Sequence, residues 1–147
     1  MQSEYLDFMW AGICAAFVWF FGKADGLIIA LVSFTCMDYI TGVIAAGVRH
    51  ELSSRVGFKG IAKKLIIFIL VGVAHIVEHV LSTIAPDFLG HSEILRDAVI
   101  LFYCANEGLS ILENADTLGV PFPRKLRDMF LSMKNKDNEI KKSKDKK

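Results

Sequence analysis

Residues 27–48, LIIALVSFTCMDYITGVIAAGV, decide the fold class. The run has 22 residues and one charge, Asp38. As an α-helix it would be about 33 Å long, enough to cross a hydrocarbon core of ~30 Å. A soluble domain of 147 residues has no use for so long a run that is apolar on every face.

The same pattern recurs on both sides. Residues 65–85, LIIFILVGVAHIVEHVLSTIA, form a second spanning block, which Pro86 ends. Residues 8–22, FMWAGICAAFVWFFG, carry no charge but cover only about 22 Å as a helix. Extension back to Tyr5 lengthens that helix and takes in Asp7. Gly22-Lys23-Ala24-Asp25-Gly26 reads as a tight turn. The last block, Ile94–Leu112, is apolar but contains Arg96, Asp97, Asn106 and Glu107. The chain is 53% hydrophobic with a mean hydropathy of +0.42, and its apolar residues are gathered into these blocks. We therefore expect an all-α integral membrane protein with three to four transmembrane helices in residues 1–123. A short, disordered basic tail, residues 124–147, should follow in the cytoplasm.

Charge sets the orientation. Residues 49–64, RHELSSRVGFKGIAKK, read as a loop with five bases and one acid. The tail holds ten Lys/Arg and four Asp/Glu. Basic connections stay on the cytoplasmic side, so both segments belong there. Four crossings with the N-terminus inside fit this rule, and so do three with the N-terminus outside. The acids at Glu4 and Asp7 do not fit a cleavable signal peptide, so insertion should rely on the first apolar helices. The tail lacks interleaved aromatics and a folded reader, which argues against nucleic acid as a partner. Cys14, Cys36 and Cys104 are scattered within apolar blocks, as small hydrophobes would be rather than disulfide partners or zinc ligands.

Ionisable groups at membrane depth are costly and need a reason. At 100° per residue, Arg96, Tyr103, Glu107, Ser110 and Asn114 fall on one stripe of the last helix, with Asn106 and Glu113 at its border. Such a face calls for a partner helix, a headgroup layer or water, so these residues are candidates for polar packing or for lining a lesion. Asp38, His75, Glu78 and His79 are intramembrane polar residues on the other helices. His75-Ile76-Val77-Glu78-His79 matches H-x-x-E-H, an inverted zinc-protease signature. It lies within an apolar span and has no third ligand in context, so it reads as a polar packing patch and no metal is assigned. Gly12-x-x-x-Ala16 and Gly42-x-x-x-Ala46 allow close helix approach, within one subunit or between copies. No phosphate loop, nucleophile elbow or dinucleotide fingerprint is present, so neither an enzyme nor a cofactor is expected.

Three further stretches carry a family resemblance. They are Met37-Asp38-Tyr39-Ile40-Thr41-Gly42; Ser53-Ser54 with Gly57-Phe58-Lys59-Gly60-Ile61-Ala62-Lys63-Lys64; and Tyr103 to Ala115 followed by Leu118-Gly119-Val120-Pro121-Phe122-Pro123. In this ordered set the chain resembles the bacteriophage holins of the toxin-secretion/phage-lysis type, found in phages and prophages of Gram-positive bacteria. The resemblance covers roughly residues 36–131. It implies a multi-pass protein of the host cytoplasmic membrane that accumulates, assembles with copies of itself among membrane lipid, and permeabilises the bilayer. An endolysin, or in some relatives a large toxin, would then escape. A small ion channel or ion-coupled transporter using Asp38, Glu78 or Glu107 is the competing reading, and an antiholin that restrains lysis is another.

The orientation is testable by cysteine labelling of intact cells in a background without the native cysteines. The 49–64 segment and the tail hold fifteen of the seventeen bases, so cysteines at Ser54 and Ser143 should stay unlabelled from outside. Strong labelling at either site would reverse the orientation. A cysteine at Gln2 separates three crossings from four.

Overall fold

A computed structural model describes residues 2–85, 93–121 and 123. The basic tail read at 124–147 and most of the acidic loop after Pro86 lie outside the described residues. Four helices follow one another: α1 (Gln2–Phe21), α2 (Gly26–Val48), α3 (Ser54–Ile84) and α4 (Ile94–Thr117). The described residues contain no strand. Three helices are long and apolar enough to cross a membrane, over Glu4–Phe21, Gly26–Val48 and Gly57–Ile84.

Two boundaries differ from the sequence reading. α1 starts at Gln2 and takes Asp7 into the helix. α3 starts at Ser54, so most of the segment read as a basic loop is helical. The reason lies in the bases themselves. Lys and Arg are good helix formers with long apolar stems, and Arg55, Lys59 and Lys63 repeat at a four-residue spacing along one side of a helix. The true connection between α2 and α3 is short. His50 takes a positive φ of 57°, which lets the chain turn directly after α2.

The turn between α1 and α2 is where the sequence placed it. Gly22 adopts φ 76°. A side chain there would be strained and would also meet the His75 ring at about 3 Å. Asp25 then caps α2, accepting hydrogen bonds from Leu27 N and Ile28 N at 3.1 Å each.

α2 and α4 run parallel and form the most extensive helix pair, with α3 antiparallel against both. We call the side where α2 and α4 begin and α1 and α3 finish the turn end, and the opposite side the basic end. A small core fills the centre: Ile28 and Leu31 from α2, Ile67 and Val71 from α3, and Ile100 from α4. Phe21 at the close of α1 packs on it and meets Phe68 edge-on at 6.3 Å between ring centroids. The rest of α1 stands apart, with Phe8, Trp10 and Trp19 all largely exposed. On a soluble protein such a surface would be a liability; here it matches the lipid its helix is long enough to span.

α4 carries a higher proportion of polar and charged residues than the three apolar helices, yet it is as long as α2 and lies along it. Arg96, Glu107 and Asn114 turn toward the other helices, while Leu101 and Phe102, together with Asn106 and Glu113, are exposed.

Beside Phe21, the neighbouring Phe20 holds α1 to the bundle through a close contact with α3. A Cβ added to Gly72 would lie 2.2 Å from the Phe20 ring. Gly72→Ala should therefore push Phe20 aside and loosen α1, costing about 1–3 kcal/mol of stability as overpacking does. Adding Phe20→Ala should recover most of the loss. Thermal unfolding of the detergent-solubilised chain measures both, and an unchanged melting temperature for Gly72→Ala would show that α1 does not dock here.

Candidate functional site

The polar residues of the four helices gather into two clusters, one at the turn end and one near mid-depth. Both are built between α4 and its neighbours.

At the turn end, Arg96 is fully buried, at 0% exposure. A guanidinium carries five N–H donors in a rigid fork, and burial demands that all be used. Arg96 Nε donates to Phe21 O at 2.7 Å, and Nη2 donates to Lys23 O at 2.9 Å. Nη1 donates to Asp25 Oδ2 at 2.8 Å and to Asp97 Oδ1 at 3.0 Å. One side chain from α4 thus satisfies the orphan carbonyls at the close of α1 and the cap of α2 together. Its hydrogen bonds, ahead of those from Ile28 and Leu27 N–H, hold the Asp25 carboxyl down to about 2, so it stays ionised at any physiological pH. Asp25, Glu93 and Asp97 approach closely enough to ligate a cation, but Arg96 already stands among them. Lys23 pairs with Glu93 at 2.8 Å at the exposed edge. That hydrogen bond is the main cause raising the Lys23 pKa.

Glu78 completes this end. It is 4% exposed, and its carboxylate accepts from Leu95 N at 2.8 Å and Arg96 N at 3.2 Å. α4 lacks a side-chain cap of its own at Glu93, so a residue of α3 caps it from across the bundle. This gives Glu78 a task unrelated to the zinc signature. Of its neighbours in the motif, His75 lies against Gly22 and His79 is exposed on the outer face.

The second cluster lies deeper. Lys64 of α3 donates to Asp38 Oδ2 of α2 at 2.7 Å and also to Glu107 Oε2 of α4. The three side chains are only 14%, 14% and 6% exposed. Each lies ten residues from its own helix's terminus at the basic end (Ser54, Val48 and Thr117), about 15 Å along the axis. Asn114 extends the network, donating to Asp38 Oδ1 at 3.0 Å and Thr41 Oγ1 at 3.1 Å. Asn114 also passes within 3.5 Å of where a Cβ on Gly42 would stand, so Gly42 gives α4 its close approach to α2. One turn nearer the basic end, Arg49 donates to Thr117 Oγ1.

The sequence-selected residues therefore separate. Arg96 belongs to the turn-end clamp, and Glu107 and Asn114 to the Lys64 network. Tyr103 and Ser110 are half-buried beside the α3 face, while Asn106 and Glu113 are exposed. Ala46 lines a cavity of about 320 Å³ with Gly42, Tyr39 and Lys64. Gly12 has nothing within 4 Å of its Cβ direction, and Ala16 beside it is exposed. Sequence reading missed Lys64, which it counted among the bases of the 49–64 loop. One signal was available: Lys64 directly abuts the apolar run from Leu65, and Asp38 within α2 needed a counter-charge.

Removing the lysine should be costly. Lys64→Met leaves two carboxylates facing each other with no cation, and a buried pair broken from one side loses about 3–5 kcal/mol. The triple change Lys64→Met, Asp38→Asn, Glu107→Gln should recover most of that stability, because no charge remains unpaired. Unfolding of the detergent-solubilised variants tests this, and a Lys64→Met chain as stable as wild type would refute the ion-pair role.

A model of the bacteriophage holin family matches residues 15–135, from within α1 through α4 and beyond. An uncharacterized protein of Listeria innocua is 45% identical over 91% of this chain and 91% of its own length. One of Listeria monocytogenes is 43% identical over 96% of this chain and 95% of its own length. One of Clostridium perfringens is 40% identical over 83% of this chain and 85% of its own length. No solved structure matches the fold. On the family match, and with three helices able to span a bilayer, the chain is a membrane protein that belongs to the bacteriophage holin family.

Proposed function

We propose that this chain is a working holin of the bacterial cytoplasmic membrane. It accumulates there with residues 49–64 and the tail inside, associates with further copies of itself, and opens the bilayer so that an endolysin or an exported toxin can leave. Its family is not a family of enzymes, and the chemistry required is physical failure of a bilayer rather than bond cleavage.

The observation that carries this reading is the way α4 hides its polar face. Glu107, Asn114 and Arg96 are paired inside the subunit, on partners from α1, α2 and α3. Apolar side chains such as Leu101 and Phe102 stand on the outside, with Asn106 and Glu113 among its exposed polar groups. A subunit built so can collect in lipid with its buried charges paired. In an assembly, water and neighbouring copies offer those same groups replacement partners, and the candidates to line a wet surface are Tyr103, Asn106, Glu107, Ser110, Glu113 and Asn114. A transporter or channel would instead keep an ion site open at Asp38 or Glu107. Both carboxylates are engaged by Lys64.

The test is induction in cells that also express a cytoplasmic endolysin lacking its own export signal. Turbidity should hold and then fall abruptly, with endolysin recovered outside the membrane. Passage of small solutes alone, with the endolysin retained, would favour a channel. Glu107→Leu removes a central acid that costs ~2.5–3.5 kcal/mol on insertion scales and leaves Lys64 paired with Asp38. It should accumulate at or above the wild-type level and lyse later or not at all. Wild-type timing at equal protein level would remove the polar face of α4 from the mechanism.

A further inference from the structure

A groove runs between α3 and α4, where the two helices pack less closely than α2 and α4 do. It consists of two adjoining cavities that share Leu70 and Tyr103. The one toward the basic end is about 360 Å³ and has Lys63, Asn106 and Ser110 on its wall. The other continues toward the turn end, is about 430 Å³, and is walled by apolar side chains such as Val73, Val77, Ala98, Val99 and Phe102. The polar chamber therefore opens into an apolar one along the helix axes.

The wall of the polar chamber is balanced, Lys63 and Lys64 against Asp38 and Glu107, and the positive charge lies at its rim. Lys63 is exposed at its rim, and Lys59 and Arg55 follow on the same strip of α3, one and two turns nearer the basic end. None of the three is in a salt bridge among the described residues. Both acids of the chamber wall, Asp38 and Glu107, are engaged by Lys64. The apolar chamber offers an acyl chain walls of its own kind, and the cations at the rim of the polar chamber suit an anionic headgroup, whereas a second copy of α3 would bring the same basic strip against its like.

We propose that this groove binds one anionic phospholipid, with its phosphate on the basic-end side of the polar chamber, reached by Lys59 and, along its extended stem, by Lys63, and an acyl chain laid between α3 and α4. Basic pockets between helices on the cytoplasmic side are established sites for anionic headgroups, and here an apolar slot continues the pocket. The bound lipid would fill space that the α2–α4 pairing leaves open and would brace α4 against α3. The proposal stands on the groove alone and does not depend on lesion formation.

Native mass spectrometry of the full-length chain, released from detergent with added phosphatidylglycerol, tests it. One retained phosphatidylglycerol per subunit is expected, held more strongly than phosphatidylcholine. Lys59→Gln with Lys63→Gln should weaken phosphatidylglycerol retention about tenfold and leave phosphatidylcholine unchanged, while Lys63→Arg should bind as wild type. Ala98→Phe, which fills the slot, should expel long-chain lipid of either headgroup. A soluble short-chain phosphatidylglycerol should bind poorly even to wild type. Wild-type retention by both the double-lysine and Ala98→Phe variants would overturn the proposal. So would loss of a dimer in Ala98→Phe with lipid binding intact, which would assign the groove to a second copy of the chain.

Discussion

Three charged side chains near mid-depth, Asp38, Lys64 and Glu107, satisfy one another across three helices, and the packing of α2, α3 and α4 follows from that need. In hydrocarbon no water is available to take a hydrogen bond, so each ionised group must find its partner inside the protein. Lys64 does this for two carboxylates at once. Its position sets the axial register of α3 against α2 and α4, because all three groups lie at the same distance from the basic end. A slip of any one helix by a single turn, ~5.4 Å, would break the contact and strand a charge. The apolar core of Ile28, Leu31, Ile67, Val71 and Ile100 could tolerate such a slip far more readily, since one branched aliphatic side chain packs much like another.

The turn end obeys the same constraint by different means. Helix termini leave carbonyls and N–H groups without intrahelical partners, and two buried side chains gather them here. Arg96 takes the carbonyls of Phe21 and Lys23 and the Asp25 cap, and Glu78 takes the first N–H groups of α4. Each acts between elements that are remote in sequence. Together they fix where α4 begins, and Lys64 fixes its depth. α1 shares little of this network, being held through its closing residues and the fit of Phe20 over Gly72. The bundle is therefore a three-helix unit with an apolar helix attached at one side.

This division bears on the proposed function. With Arg96, Glu107 and Asn114 engaged internally, the subunit keeps these polar groups from lipid while it is dilute. Two carboxylates share one lysine, so the network has one cation for two acids at a depth where charge is costly. An arrangement that brought water to that face would relieve the cost. The polar face of α4 is thus stable when closed and favourable to hydrate when opened, as an assembly protein that acts only after accumulating requires. The proposed lipid in the α3–α4 groove would act on the same helix from its other side, through packing rather than charge.

The sequence by itself determined that the chain is helical and membrane-embedded, where the turn at Gly22 to Gly26 lies, and which family the ordered motifs resemble. These are properties of local runs: apolar length, charge placement and turn chemistry are readable from neighbours in the chain. It also marked Arg96, Glu107 and Asn114 as one stripe, because a helix wheel needs no partner to be drawn. Their partners were beyond it. That Arg96 closes the α1–α2 turn, that Glu78 within a metal-like motif caps α4, and that Lys64 leaves the apparent basic loop to sit between two acids were decided by tertiary structure alone. Each depends on which helices run side by side and at what depth. That choice is made by pairing charges from separate segments in a medium without water, and no single segment contains it.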